Sequence, residues 1–203
     1  MKIINVSYQT NCYLVYNEES KEGFVVDCIY APFMISEAQK AGVKIKALLI
    51  THGHYDHIMG AAELKERTGA KIYMHESDIE KIDDGSKNFS PYGNNLVRHF
   101  DVDVRVKDGD ILDLCGARVE VMHTPGHSEG EACYIMDDVI FCGDVLFRES
   151  YGRYDNYDGD LVKLKNSIDR LLAIKGDKRL LCGHDKETSL DHERKCNPIL
   201  FGL

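Results

Sequence analysis

The stretch THGHYDHIMG, Thr51 to Gly60, places His52, His54, Asp56 and His57 within six residues, directly after the apolar run KALLI. An aspartate ahead of a helix is an ordinary N-cap, and a single histidine is often a satisfied, half-buried side chain. Those readings account for one of these residues, not for all four. His52 and His54 stand two apart in a segment that reads as extended, so their side chains point the same way and can share one ion. Asp56 and His57 fall where the chain turns into the helical pattern HIMGAAELKERTG. Adjacent side chains there are expected to splay apart, toward a second ion beside the first.

Three further strand ends carry donors of the same kind: His127 in MHTPGHS, Asp144 in FCGD and His184 in LLCGH. All seven residues offer nitrogen or oxygen. Imidazole and carboxylate suit zinc, iron or manganese, and the absence of any C-x-x-C pair argues against a structural thiolate zinc. Two ions about 3.5–4 Å apart need a shared ligand. Asp144 is the natural bridge, because it follows Gly143, a small neighbour that lets backbone approach a crowded centre.

The rest of the chain frames this cluster. Its 203 residues fit one domain, 1–203, long enough to bury roughly 70% of the surface of its unfolded chain. The composition is 43% hydrophobic and 29% charged, which excludes a disordered segment. A net charge of −9 disfavours nucleic acid and anionic membranes and points to a small-molecule substrate. The N-terminus has no apolar core of a signal peptide and no run approaches 18 apolar residues, so a cytoplasmic location is expected. The seven scattered cysteines are expected to be reduced thiols, with Cys142 and Cys182 filling strand positions two before a ligand.

Short apolar runs CYLVY, GFVVDC, KALLIT and KIYMH read as strands, and PFMISEAQKAG and IMGAAELKERTG as helices between them. After a polar loop around DDGSKNFSPYGNN, DGDILDL pairs with ARVEVMHT and ACYIM with VIFCGD as hairpins. A helix over about 159–174, the strand KRLLCGH and a helix from Ser189 complete the pattern. Two such halves imply two central sheets covered by outer helices, with the ligands at one edge of the sandwich.

THGHYDHIMG, TPGHSEGEACY, GDVLFRESYGRYD and CGHDKETSLDHERKCNP, with TNCYLVY and NPIL at the two ends, resemble in order the metallo-β-lactamase-fold hydrolases. The short glyoxalase II-like group is the most similar. The resemblance implies an α/β fold, the four-layer αββα sandwich with two mixed sheets, and a two-metal site. Carried over by position, His52, His54 and His127 hold one ion, Asp56, His57 and His184 the other, and Asp144 bridges. Zinc is the first expectation for both, iron or manganese the alternatives.

Two departures bear on substrate. The chain reads VVDCIYAP where relatives often carry a D-P-G-G turn, and TPGHSEGEA brings Glu129 and Glu131, carboxylates expected to disfavour an anionic substrate. Full glyoxalase II enzymes add a C-terminal helical domain for glutathione, and no such domain is expected here. Water shared between two divalent ions ionises near neutral pH, so a hydroxide attacks the acyl carbonyl, with Asp56 orienting it. Substrate contacts are expected from Tyr55, Arg153 and Tyr154. Tyr55 either walls the pocket or packs beneath it, and Arg153 anchors a substrate carboxylate. His75, His99, His123 and His192 are read as structural.

Three functions fit this reading. The first is a hydrolase of small acyl thioesters. The second is a persulfide dioxygenase-like oxidoreductase with one iron on His52, His127 and Asp144. The third is a non-catalytic metal-dependent binding module.

Overall fold

The structure, a computed structural model, describes residues 1–91 and 94–201. Tyr92 and Gly93, part of the expected polar loop DDGSKNFSPYGNN, lie outside the described residues. Strands β1 (Lys2–Ser7), β2 (Asn11–Tyr16), β3 (Glu22–Val26), β4 (Lys44–Leu49), β5 (Lys71–His75) and β6 (Val104–Val106) form a mixed sheet in that order. The β1-β2-β3 meander is antiparallel, and β3 to β6 run parallel.

The second sheet contains β7 (Ile111–Leu114), β8 (Ala117–His123), β9 (Ala132–Met136) and β10 (Val139–Gly143) as an antiparallel run. After a two-residue hairpin of β11 (Leu146–Phe147) and β12 (Ser150–Tyr151), β13 (Arg179–Cys182) joins β10 in parallel. β14 (Thr188–Ser189) then closes that edge. The expected hairpins are present, and β1 is an addition: KIINVS is half-exposed at the sheet edge and lacks a buried run.

Side-chain alternation makes the layers. On β2, Cys12, Leu14 and Tyr16 face one core while Tyr13 and Val15 face another. The first core is covered by helices α1 (Ala31–Ala41) and α3 (Ala61–Thr68), and the second lies between the sheets. On β10, Val139 and Phe141 point into that central layer, and Ile140 and Cys142 point into a third core under α4 (Leu161–Leu172) and α5 (Leu190–Cys196). Each layer is needed because both faces of each sheet are apolar. Two tyrosine hydroxyls tie the sheets across the middle: Tyr13 donates to the Cys182 carbonyl at 2.7 Å and Tyr134 to that of Ile50 at 2.8 Å.

The helices follow their sequence signals. α1 carries Pro32 in its first turn and ends at Gly42, whose left-handed backbone (φ 68°) suits a C-terminal glycine. α4 starts at Asp160, whose carboxylate accepts from the Lys163 amide. Its buried residues Leu164, Ser167, Ile168 and Leu171 form one i, i+3, i+4, i+7 stripe. Burying its three aliphatic side chains contributes about 5–9 kcal/mol before entropy is counted.

The helix expected over IMGAAELKERTG is in fact two. The short α2 (Tyr55–Ile58) ends at Met59, and α3 begins after Gly60, whose amide donates to the Cys28 carbonyl at 2.8 Å. That bond pulls the chain onto the loop after β3. α2 is thereby left free to carry Asp56 and His57 at its own angle.

Candidate metal centre

Strands β4, β8, β10 and β13 deliver their C-terminal loops to one edge, and the seven donors meet there. His52, His54 and His127 offer atoms within 4.8 Å of one another, and so do His52, His57 and Asp144, and Asp56, His57 and His184. Asp144 faces both halves: Oδ1 lies 3.5 Å from His57 Nε2, and Oδ2 lies 3.6 Å from His127 Nε2 and 3.4 Å from His184 Nε2. Gly143 makes this approach possible. Its φ is 49°, and a Cβ there would fall 2.2 Å from Glu131 Oε1.

One local expectation is corrected. Asp56 and His57 do not splay apart: His57 Nε2 lies 3.7 Å from Asp56 Oδ2, and both face His184. α2 is a single turn, and its second and third side chains converge on the sheet edge.

Four of the five imidazoles are held by the far nitrogen. His57 Nδ1–H donates to Asp27 Oδ2 at 2.8 Å, His127 Nδ1–H to the Arg153 carbonyl at 2.8 Å and His184 Nδ1–H to the Gln9 carbonyl at 3.2 Å. His52 Nδ1 lies 3.1 Å from Thr51 Oγ1, which spends its own proton on Asp27 Oδ2 at 2.7 Å. These bonds place the ring proton on Nδ1 in all four, leaving Nε2 as the electron-pair donor toward the centre. His54 differs in presenting Nδ1 to His127 Nε2 at 3.0 Å.

The donors fit divalent metal. Among the described residues, His52 Nε2, His54 Nε2, His57 Nε2 and Asp144 Oδ1 are buried without a hydrogen-bond partner. Such atoms are costly unless something else satisfies them. The electrostatics divide the site. Burial, then the neighbouring imidazoles, holds His52 and His54 well below the ordinary histidine value, so they are neutral as ligands must be. Burial opposes charge on His57 and His184 as well, yet the surrounding carboxylates, Asp144 foremost, raise both, His184 to about 10. That half of the site attracts positive charge.

Four residues of this cradle carried no signal in the sequence. Asp27 accepts from Thr51 N at 2.8 Å, from Thr51 Oγ1 and from His57, and so fixes the ligand segment after β4 at both ends. Thr10 donates to Asp56 Oδ2 at 2.8 Å. Phe89 packs edge-on against His54 at 4.8 Å between ring centroids, and Phe147 against His184 at 6.0 Å. An isolated D after VV, or a T in a turn, is too common a pattern to announce such a role.

Several expectations for the surroundings change. Glu131 does not face substrate: it is fully buried, accepts the Asp144 amide at 3.0 Å and lies 3.4 Å from His52 Nδ1. Burial, then Asp144, pushes its carboxyl well above the usual range, and Oε2 is unpartnered. Glu129 points outward to Lys163 at 2.7 Å. Neither places a carboxylate over the donor cluster. The Arg153 guanidinium is engaged by Asp155 at 2.9 and 3.2 Å, and what this residue brings to the centre is its carbonyl. Tyr55 packs against the outer core, and Tyr154 stays on the surface.

The remaining histidines and the cysteines are not among the clustered donors. His75 caps the 3-10 turn Glu76–Asp83, accepting from Ser77 N at 3.3 Å, and stacks on His123 at 4.0 Å. His99 pairs with Asp83 and His192 with Glu149. Cys142 and Cys182 are buried under α4, and all seven cysteines are free thiols. No helix among the described residues is long and apolar enough to cross a membrane.

Comparison with known proteins agrees with this geometry. The chain is 32% identical over 206 residues to the Haemophilus influenzae protein named hydroxyacylglutathione hydrolase GloC, covering 98% of this chain and 97% of that one. Its fold superposes on BLEG-1, described as a B3 metallo-beta-lactamase, with a TM-score of 0.92 at 29% identity and 99% coverage of both chains. It also superposes on TTHA1623 in a di-iron-bound form, with a TM-score of 0.83 at 29% identity, over 98% of this chain and 99% of that one. The sequence profile of the metallo-beta-lactamase superfamily matches residues 7–184, a span that holds all seven converging donors from His52 to His184, and the chain belongs to that superfamily.

Proposed function

We propose that this protein is a two-metal hydrolase of small acyl thioesters, with zinc in both positions or iron or manganese in its place. The observation that carries the reading is the second donor set. Asp56, His57 and His184 stand together beside the histidine triad, and Asp144 faces both groups. A mononuclear iron oxygenase would need only His52, His127 and Asp144 for its chemistry. The relatives named as a hydroxyacylglutathione hydrolase and as a di-iron form support the thioester and the paired ions.

His52, His54 and His127 would hold one ion, Asp56, His57 and His184 the other, with Asp144 between. When bound, two such ions lower the pKa of a coordinated water from 15.7 to about 7 and polarise an acyl oxygen. The chain's own residues do the rest. Thr10 engages Asp56 Oδ2, which leaves Oδ1 to orient the attacking water. The rings of Phe89 and Phe147 flank His54 and His184 at the mouth of the site. A thiolate with a pKa near 8.5 leaves with little proton assistance, which suits a site that offers no obvious general acid. The Arg153 guanidinium is already paired, so the reading does not rely on an anionic carrier.

The test is reconstitution of the metal-free protein with zinc, manganese or ferrous iron, followed by assay under nitrogen. The expected result is about two metal equivalents per chain and cleavage of a 2-hydroxyacyl thioester, most of it lost in His184→Ala. A β-lactam serves as the comparison substrate, since the fold superposes so closely on a B3 enzyme. The reading is overturned if binding stops at one equivalent. It is equally overturned if only the ferrous form is active, consumes oxygen with a persulfide and tolerates His184→Ala.

A further inference from the structure

Behind the histidine triad lies a buried ion network that neither the motif nor the family match assigns. Asp78, on the 3-10 turn after β5, has no exposed surface and uses its carboxylate four times. Oδ2 accepts from Gly53 N at 2.7 Å and Ser128 Oγ at 2.8 Å, and Oδ1 accepts from Gly130 N at 2.7 Å and Lys81 Nζ at 2.8 Å. Gly53 separates His52 from His54, while Ser128 and Gly130 follow His127. One carboxylate therefore joins the two loops that carry the whole triad. Lys81, also fully buried, spans from Asp78 to Asp158 Oδ2 at 2.8 Å, and Asp158 Oδ2 in turn accepts the Glu129 amide at 2.9 Å.

The approach is tight. A Cβ at residue 130 would lie 2.6 Å from Asp78 Cγ, and one at residue 53 would lie 2.9 Å from Lys81 Cδ. Glycine at these two places lets the loop amides reach the carboxylate. A lysine and an aspartate both removed from water are costly, and replacing such a pair by apolar residues is often neutral or stabilising. Stability alone is therefore a weak reason for it to be here.

We infer that Asp78, with Lys81 as its counter-ion, is a positioning residue: it holds the 52–54 and 127–130 loops in register so that His52, His54 and His127 converge before an ion arrives. The inference rests on the metal-binding reading for its consequence, and on the loop hydrogen bonds for itself. In Asp78→Asn the side-chain NH2 must face donors, either Gly53 N and Ser128 Oγ or Gly130 N and Lys81 Nζ, so at least one loop is released. Partners of this kind hold metal affinity by 10–100-fold.

The experiment uses full-length metal-free protein in two arms. Amide hydrogen exchange follows Gly53 and Gly130, and zinc titration against a competing chelator follows affinity, in wild type, Asp78→Asn, Lys81→Met and the surface control Asp83→Asn. The expected result is lost protection at Gly53 or Gly130 with the β-sheet amides still protected, and an affinity lowered at least 10-fold in Asp78→Asn. Lys81→Met, which keeps the three loop bonds, should show a smaller loss, and the control none. If Asp78→Asn keeps wild-type protection at both glycines, or wild-type affinity, the assignment is wrong. Should Asp78→Asn not fold, Lys81→Met decides: wild-type affinity and protection there also refute it. Wild type that binds no zinc would sink the metal reading, and the clamp would then stand or fall on the exchange arm.

Discussion

Replacing Asp27 separates what a buried carboxylate does for the fold from what it does for the metal. It is 2% exposed and accepts three hydrogen bonds, from Thr51 N at 2.8 Å, Thr51 Oγ1 at 2.7 Å and His57 Nδ1 at 2.8 Å. In Asp27→Ala the hydroxyl can turn elsewhere, but two N–H groups are stranded at about 1–3 kcal/mol each. The backbone is left-handed there, with φ 56°, which an alanine adopts at a further cost of about 1–2 kcal/mol. The total, about 3–8 kcal/mol, rivals the stability of a whole domain. The metal-free melting temperature should fall by at least about 6 °C.

Asp27→Asn keeps volume and tolerates the left-handed backbone, so it should cost only about 1–2 kcal/mol. Its effect falls on the metal. The amide oxygen can take Thr51 N, which turns the NH2 toward His57 Nδ1. That nitrogen must then accept, the ring proton moves to Nε2, and the donor pair aimed at the centre is lost. Affinity for the second ion should drop 10–100-fold with the fold intact. Circular dichroism melts of metal-free protein and zinc titration measure the two effects separately. Asp27→Asn that binds both equivalents as tightly as wild type would refute the tautomer argument.

Two further outcomes are expected. Asp144→Ala removes the side chain that faces both donor groups and should lower metal occupancy, with turnover down at least ~100-fold, whereas His75→Ala, which loses a cap and a stacking contact, should leave turnover nearly unchanged. Metal analysis and thioester assay of the two variants check this, and equal losses in both would contradict the ligand set. Stripping with a chelator should lower the melting temperature by about 5–11 °C relative to protein held at one hundred times its dissociation constant for zinc, because that saturation contributes about 2.7 kcal/mol to the folded state. A melt indifferent to chelator would mean that the donors hold no ion in the folded protein.

The sequence by itself determined the donors and the layering. Imidazole and carboxylate are recognisable wherever they stand, and four of the seven fall within six residues. Strand alternation on β2 and β10 and the heptad-like stripe of α4 are local periodicities, legible without knowing what lies opposite. Tertiary structure decided the partners. Asp27 is 30 residues from His57, Asp78 is 50 from Ser128, and which acceptor meets which ring depends on where β3, β4 and β8 end in the assembled sheets. The same dependence turned Glu131 inward against His52 and Asp144, tied Arg153 to its neighbour and broke the expected helix at Gly60, where an amide found the Cys28 carbonyl. A residue's chemistry is local, but the satisfaction of its hydrogen bonds belongs to the loops that folding brings beside it.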